Sequence, residues 1–213
     1  TAQGKLSQTL AYGAQTVQVN GDFDTAMRLV AEVAQDHGLY ILNSINPFRL
    51  EGQKTIVFEL IQQLNWVPPD WIVLPGGNLG NTSAFGKALR DLSELGLISR
   101  LPRIAVIQAS GAAPFYAAYQ TGFRTFLPTK AQTIASAIKI GNPVNYAKAR
   151  RVIAWLDGVV EQVSDQEIME AKAVVDRVGV GCEPASAASV AGVKKLAARG
   201  VIRPGDRVVA ILT

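Results

Sequence analysis

Cysteine and histidine are nearly missing from these 213 residues: Cys182 and His37 are single examples. One cysteine excludes an internal disulfide framework and a multi-cysteine metal site. One imidazole excludes a zinc cluster, and any Ser-His-Asp array beyond what His37 alone supplies. His37 precedes Gly38 at an expected helix end, where it suits the last carbonyls better than chemistry. Nothing approaches the run of about 18 apolar residues that a membrane span needs, and there is no basic-plus-apolar leader. A cytoplasmic setting and no membrane partner are the expectations. Charge of one sign is also scarce, because 21 basic against 17 acidic residues leave a net +4. The densest basic clusters, Arg100/Arg103 and Lys148-Ala149-Arg150-Arg151, lack interleaved aromatics, so they read as solvated surface with no nucleic-acid partner.

What is present is apolar residue, at 48% of the chain. That fraction with a small net charge excludes disorder, and the length is ample for a continuous core. Short apolar runs alternate with helical periodicities. Gln15–Val19 alternates as a strand does; Asp22 reads as an N-cap for a helix with Ala26, Leu29, Val30 and Val33 on one face and Gly38 as its stop. Leu39–Leu42 reads as a buried strand, and a helix with Ile56, Val57, Leu60, Ile61 and Leu64 inward comes next. Strands at Ile72–Leu74 and Ile104–Ile107 flank a helix over about 82–96. After a less regular stretch from Gly111 to Pro143, Ser164-Asp165-Gln166-Glu167 is a capping box for a helix to about Arg177. A short strand at Gly179–Cys182, an Ala-rich helix over 185–198 and a strand over 207–213 complete the series. Strands alternating with helices predict an α/β fold of three layers, with a mostly parallel sheet between helices.

The most informative local feature is Leu74-Pro75-Gly76-Gly77-Asn78-Leu79-Gly80-Asn81, which follows a buried strand and opens a helix. At such a junction glycines let backbone N–H groups turn inward, and the helix dipole adds partial positive charge, making a phosphate cradle. A Walker A loop needs four residues between its glycine and Gly-Lys-Ser/Thr. Here five separate Gly80 from Gly86, and Lys87 is followed by Ala88. A dinucleotide fingerprint is absent because Gly76 and Gly77 are adjacent. A tight turn is the plain alternative; three glycines and two asparagines together favour the cradle. A second cluster, Asn43-Ser44-Ile45-Asn46-Pro47-Phe48-Arg49, offers amide, hydroxyl and guanidinium donors for a second anion. Taken alone, it reads rather more readily as an N-cap with solvated charges.

Together the two segments resemble the threonine synthase family of fold type II pyridoxal-phosphate enzymes, the tryptophan synthase β-like fold. The resemblance runs through Asn43-Ser44-Ile45-Asn46-Pro47-x-Arg49-Leu50-Glu51-Gly52-Gln53-Lys54 and Pro75-x-Gly77-Asn78-x-Gly80-Asn81. It continues in Gln108–Pro114, Thr133–Pro143 and Glu183-Pro184-Ala185-Ser186-Ala187-Ala188, with Lys5-Leu6 and Gly21–Asp24 also matching. It implies conversion of O-phospho-L-homoserine and water to L-threonine and phosphate, with pyridoxal 5'-phosphate as cofactor. Gly77, Asn78, Leu79, Gly80 and Asn81 would hold the cofactor phosphate through backbone N–H groups, and Thr213 would meet the pyridine nitrogen. Asn43, Ser44 and Arg49, with Asn78 shared, would bind the substrate phosphate. The family's Schiff-base lysine, in a Ser-Phe-Lys-Asp context, has no counterpart among the chain's lysines. The reading that follows is a piece cut at both ends: 1–42 the C-terminal part of a small domain, 43–213 most of a large cofactor domain. As given, the chain is expected not to turn over. A threonine or serine dehydratase, and a non-catalytic phosphate-binding module, are the alternatives. Trp66 and Trp71 are expected to be exposed and to suit a homodimer.

Overall fold

Chain contacts divide the computed structural model into two units, 1–41 and 42–213, and it describes residues 3–21, 23–43 and 46–213. The first unit holds helices α1 (Gln3–Ala11) and α2 (Phe23–His37). Gly38 stops α2 as expected, at φ +63°, with Leu39 N–H donating back to the Ala34 carbonyl at 3.0 Å. The proposed cap, Asp22, lies outside the described residues. The apolar face of α2 is less buried than its periodicity suggested, since Leu29, Val30 and Val33 are 41%, 42% and 38% exposed. Gln15–Val19 and Leu39–Leu42 are not strands. A strand is defined by a neighbour's hydrogen bonds, and among the described residues no other strand lies alongside either segment.

The second unit runs α3 (Phe48–Gln53), α4 (Thr55–Gln63), β1 (Trp71–Pro75), α5 (Gly80–Glu94), β2 (Arg103–Ala109), α6 (Pro114–Gln120), α7 (Tyr146–Trp155), β3 (Val159–Val163), α8 (Asp165–Arg177), α9 (Pro184–Ala198) and β4 (Val208–Ala210). The four strands form one parallel sheet in the order β3-β2-β1-β4. Side chains alternate across it, and that alternation builds two cores. Ile72, Leu74, Ile104, Val106 and Val160 pack with Val57, Ile61, Phe85, Leu89 and Leu92 on one face. Trp71, Val73, Ala105, Ile107 and Val163 pack with Ile168, Ala188, Ala191 and Leu196 on the other. Helices therefore cover both faces, which is the three-layer arrangement expected.

Several details differ from expectation. The region 179–183 is irregular, with Gly179 at φ +83°. The last strand covers only Val208–Ala210 of the run 207–213. Helices α6 and α7 and strand β3 were not expected from the sequence. Trp71 is buried, 2% exposed, because its position on β1 faces the α8/α9 layer. Its Nε1–H donates to Asp206 at 3.1 Å, and the Arg103 guanidinium stacks 4.3 Å from its ring. Arg100 and Arg103 are thus more than solvated charge: Arg100 reaches Asp70 at 3.0 Å, and Arg103 pairs with Asp157 at 2.8 Å. The Ser164/Glu167 capping box is present, Glu167 N–H donating to Ser164 Oγ at 3.1 Å and Ser164 N–H to Glu167 Oε2 at 2.6 Å. Among the described residues no helix is long and apolar enough to cross a membrane.

Candidate active site

Strand order places the site. The chain lays down β1, β2 and β3 outward in one direction, and β4 then returns to the free side of β1. The loops leaving β1 and β4 consequently diverge, which opens a crevice at their carboxyl ends. A cavity of about 450 Å³ lies there. Pro75 and Gly77–Asn81 line it from β1, Thr213 from beyond β4, Arg49, Leu50 and Gln53 from α3, and Ile56 from α4. Ala137 and Ile138, and then Glu183 and Ala185 at the start of α9, complete the wall.

The glycine loop has the shape a cradle needs. Leu79 takes the left-handed conformation, φ +61°, and is the N-cap of α5. Gly77 is pressed against the 3-10 turn Ser136–Ile138, so closely that a Cβ would lie 3.0 Å from the Ala137 carbonyl oxygen. None of the N–H groups of Gly77, Asn78, Leu79, Gly80 and Asn81 donates to a described residue. Five consecutive unused donors at the N-terminus of a 15-residue helix make a concentrated positive potential. Below the loop, buried Gln108 ties its base: Nε2–H donates to the Gly76 carbonyl at 2.9 Å, and Oε1 accepts from Phe115 N–H at 2.9 Å and Tyr116 N–H at 3.0 Å.

The side chain of Asn78 is fixed from one end only. Its Oδ1 accepts from Val144 N–H at 2.6 Å, while its Nδ2 is buried and has no acceptor. A buried donor left open is costly unless a ligand fills it. Arg49 faces the cavity from α3 and forms no ion pair with a described residue. The neighbouring charges Glu51, Lys54, Lys87 and Asp91 are engaged among themselves, Lys54 reaching Glu51 at 2.9 Å and Asp91 at 2.7 Å. Asn46 lies just before the N-cap of α3, its Oδ1 accepting from Phe48 N–H at 2.9 Å, and Arg49 and Gln53, four residues apart, share one face of that helix. Thr213 is anchored through its own carbonyl, which accepts from Ser186 Oγ. Ser189 Oγ donates to the Ile211 carbonyl at 2.9 Å and steadies the same segment.

Of the residues singled out in the sequence, Gly77, Asn78, Leu79, Gly80, Asn81, Arg49 and Thr213 meet in this one cavity. Asn43 is half-buried and does not line it, and Ser44 lies outside the described residues. Sequence reasoning gave no role to Gln53, Ala137, Ile138 or Glu183. All four stand inside segments that carry the resemblance, which was the available signal. No lysine is among the lining residues, and among the described residues no group of three His, Cys, Asp or Glu side chains could hold a metal. Nested N–H donors, an open carboxamide donor and an unpaired guanidinium suit a phosphorylated ligand with about two negative charges.

The sequence pattern of the family described as "Pyridoxal-phosphate dependent enzyme" matches residues 1–213. The chain is 48% identical to a threonine synthase of Methanocaldococcus jannaschii over 214 aligned residues, covering 100% of this chain and 53% of that one. A threonine synthase of Methanosarcina acetivorans is 46% identical with the same coverage. The chain thus spans about half the length of these relatives. In fold it is similar to a fungal L-serine ammonia-lyase from Rhizomucor miehei, with a TM-score of 0.83 at 20% identity, covering 100% of this chain and 66% of that one. The expected α/β architecture with its parallel sheet, fold type II, is the one found. With its phosphate-suited crevice at the strand-order reversal and a match along its whole length, this chain belongs to the family of pyridoxal-phosphate-dependent enzymes.

Proposed function

We propose that this chain supplies the cofactor-phosphate and substrate-phosphate sites of a threonine synthase, which converts O-phospho-L-homoserine and water to L-threonine and phosphate. The observation that carries the reading is Arg49, a cavity-lining guanidinium without a carboxylate partner among the described residues, facing the same space as the undonated N–H row Gly77–Asn81. Two separate donor groups suit two separate phosphates, one on the cofactor and one on the substrate. When bound, pyridoxal phosphate supplies an electron sink for chemistry at the substrate's α-carbon. The chain's own residues then bind and orient. Gly77–Asn81 hold the cofactor phosphate at the α5 N-terminus, and Thr213 offers a neutral hydroxyl to the pyridine nitrogen. Arg49, with Ser44 from the segment before α3 and Asn78 shared, holds the leaving phosphate as its C–O bond breaks.

Residues 1–42 fit the end of a small domain and 43–213 most of a large one, a reading supported by the change of contact pattern after Ile41. A cytoplasmic homodimer completes the proposal, supported by Trp66, which leaves 42% of its surface exposed. A dehydratase is disfavoured because a substrate without phosphate leaves the Arg49 charge unanswered.

The test uses the complete natural chain. It is expected to release inorganic phosphate from O-phospho-L-homoserine, and absence of release with cofactor bound refutes the substrate assignment. Arg49→Ala is expected to weaken substrate binding by about 1.5–3 kcal/mol, the worth of a charged hydrogen bond, while cofactor affinity stays. Equal loss of both would place Arg49 on the cofactor or in the scaffold.

A further inference from the structure

The structure assigns Asn145 the role of a positioning residue that sets the anion loop from behind; the inference rests on the reading of Gly77–Asn81 as a phosphate cradle. Asn145 stands at the N-cap of α7 and is 3% exposed, yet its side chain makes no cap hydrogen bond. Its carboxamide is turned toward the glycine loop instead. Asn145 Nδ2–H donates to the Asn78 carbonyl at 3.2 Å, and Asn145 N–H donates to the same oxygen at 3.3 Å. The preceding N–H, on Val144, donates to Asn78 Oδ1 at 2.6 Å. Three donors from two consecutive residues thus close on one asparagine.

Two consequences follow from bond geometry. A planar trans peptide points its N–H opposite to its C=O. Holding the Asn78 carbonyl toward Asn145 therefore directs the Leu79 N–H away from Asn145, where it stays among the undonated groups of the row. The second concerns the carboxamide of Asn78. Because Oδ1 is taken by Val144 N–H, the buried end left open is the donor Nδ2 and not an acceptor. Segment 144–145 thereby makes the loop uniformly donating, as an anion requires. Asn145 Nδ2 also stands 3.7 Å from where a Gly80 Cβ would be, so the clamp sits at the first turn of α5.

The test compares pyridoxal phosphate with pyridoxal, which lacks only the phosphate, by equilibrium binding to the complete natural chain. Asn145→Ala is expected to lower the preference for the phosphorylated form about tenfold, with pyridoxal affinity held within about twofold. The phosphorus NMR resonance of the bound cofactor is expected to move toward that of free pyridoxal phosphate. A scaffold role predicts parallel loss of both affinities, and that result overturns the assignment, as does an unchanged preference with an unmoved resonance. If Asn145→Ala does not fold, Asn145→Ser keeps a polar N-cap while withdrawing the donor from the Asn78 carbonyl, and the same fall in preference is expected. A wild-type chain with no preference for the phosphorylated form overturns the cradle reading itself, and this inference with it.

Discussion

Two glycines three residues apart in the loop after β1 are expected to respond oppositely to the same added methyl group. At Gly77 an alanine Cβ would lie 3.0 Å from the Ala137 carbonyl oxygen, 3.1 Å from Ile138 Cα and 3.3 Å from Ile138 Cγ2. Comfortable contacts of this kind are about 3.5–4.0 Å, so something must yield by several tenths of an ångström. Two of the three neighbours belong to backbone that cannot change rotamer. That backbone is itself tied, Ile138 N–H donating to Ala135 O at 3.0 Å and Ile140 N–H to Ile138 O at 2.9 Å. Overpacking against so stiff a wall costs about 1–3 kcal/mol. At Gly80 the nearest atoms to the new Cβ would be Gln53 Oε1 at 3.5 Å and Asn145 Nδ2 at 3.7 Å, both ordinary van der Waals contacts. Gly80 opens α5, and there alanine gains up to about 1 kcal/mol of helix propensity. Urea unfolding of the complete natural chain should therefore show Gly77→Ala destabilised by about 2 kcal/mol and Gly80→Ala unchanged or stabilised. Equal destabilisation of the two, or a neutral Gly77→Ala, would refute the argument that the wall at 136–138 fixes the loop.

Two other perturbations probe the scaffold. In α5, a Gly86→Ala Cβ would meet Val152 Cγ2 at 2.2 Å and Cγ1 at 2.8 Å, and Val152 is held stiffly by its helix. The single variant is expected to lose about 1–3 kcal/mol, and adding Val152→Ala to recover most of it; additive losses in the double-mutant cycle would count against this close approach of α5 and α7. At the other end of the sheet, the Arg207 N–H that donates to Asp70 holds the Asp70 carboxyl below the ordinary carboxylate value, and with the Arg100 charge and hydrogen bond it outweighs the opposing desolvation. A depressed folded-state pKa stabilises the fold above the unfolded value of about 4 and ceases to do so as pH falls through the folded value. The gap in melting temperature between wild type and Asp70→Asn should therefore be open at neutral pH and close below about pH 4; a gap that persists in acid would contradict the sign.

Legibility varied along the chain with how local each cause is. The Ser164/Glu167 box could be read directly, because both hydrogen bonds lie within four residues of sequence. The glycine-loop junction could also be read, since a strand, a glycine loop and a helix start are consecutive. By contrast, Gln15–Val19 and Leu39–Leu42 show strand-like patterns without being strands, because pairing depends on a neighbour that pattern does not supply. Trp71 was expected at the surface but is buried, since β1 is covered on both faces as an inner strand of the sheet. Asn145 attracted no attention at all. Its partner is Asn78, 67 positions away, and no local pattern reports a bond of that span.

The sequence by itself determined the class of this protein: nearly no cysteine or histidine, an α/β alternation, and donor-rich segments at two strand- or loop-to-helix junctions. Those are properties of neighbours along the chain, set by side-chain chemistry and backbone preference. Only the tertiary structure decided that Arg49, Gly77–Asn81 and Thr213 face one cavity while Asn43 does not line it. It did so through the return of β4 to the free side of β1, which brings loops more than a hundred residues apart to the same crevice. Strand order is a matter of which surfaces bury each other best, and that is settled by the packing of both sheet faces together.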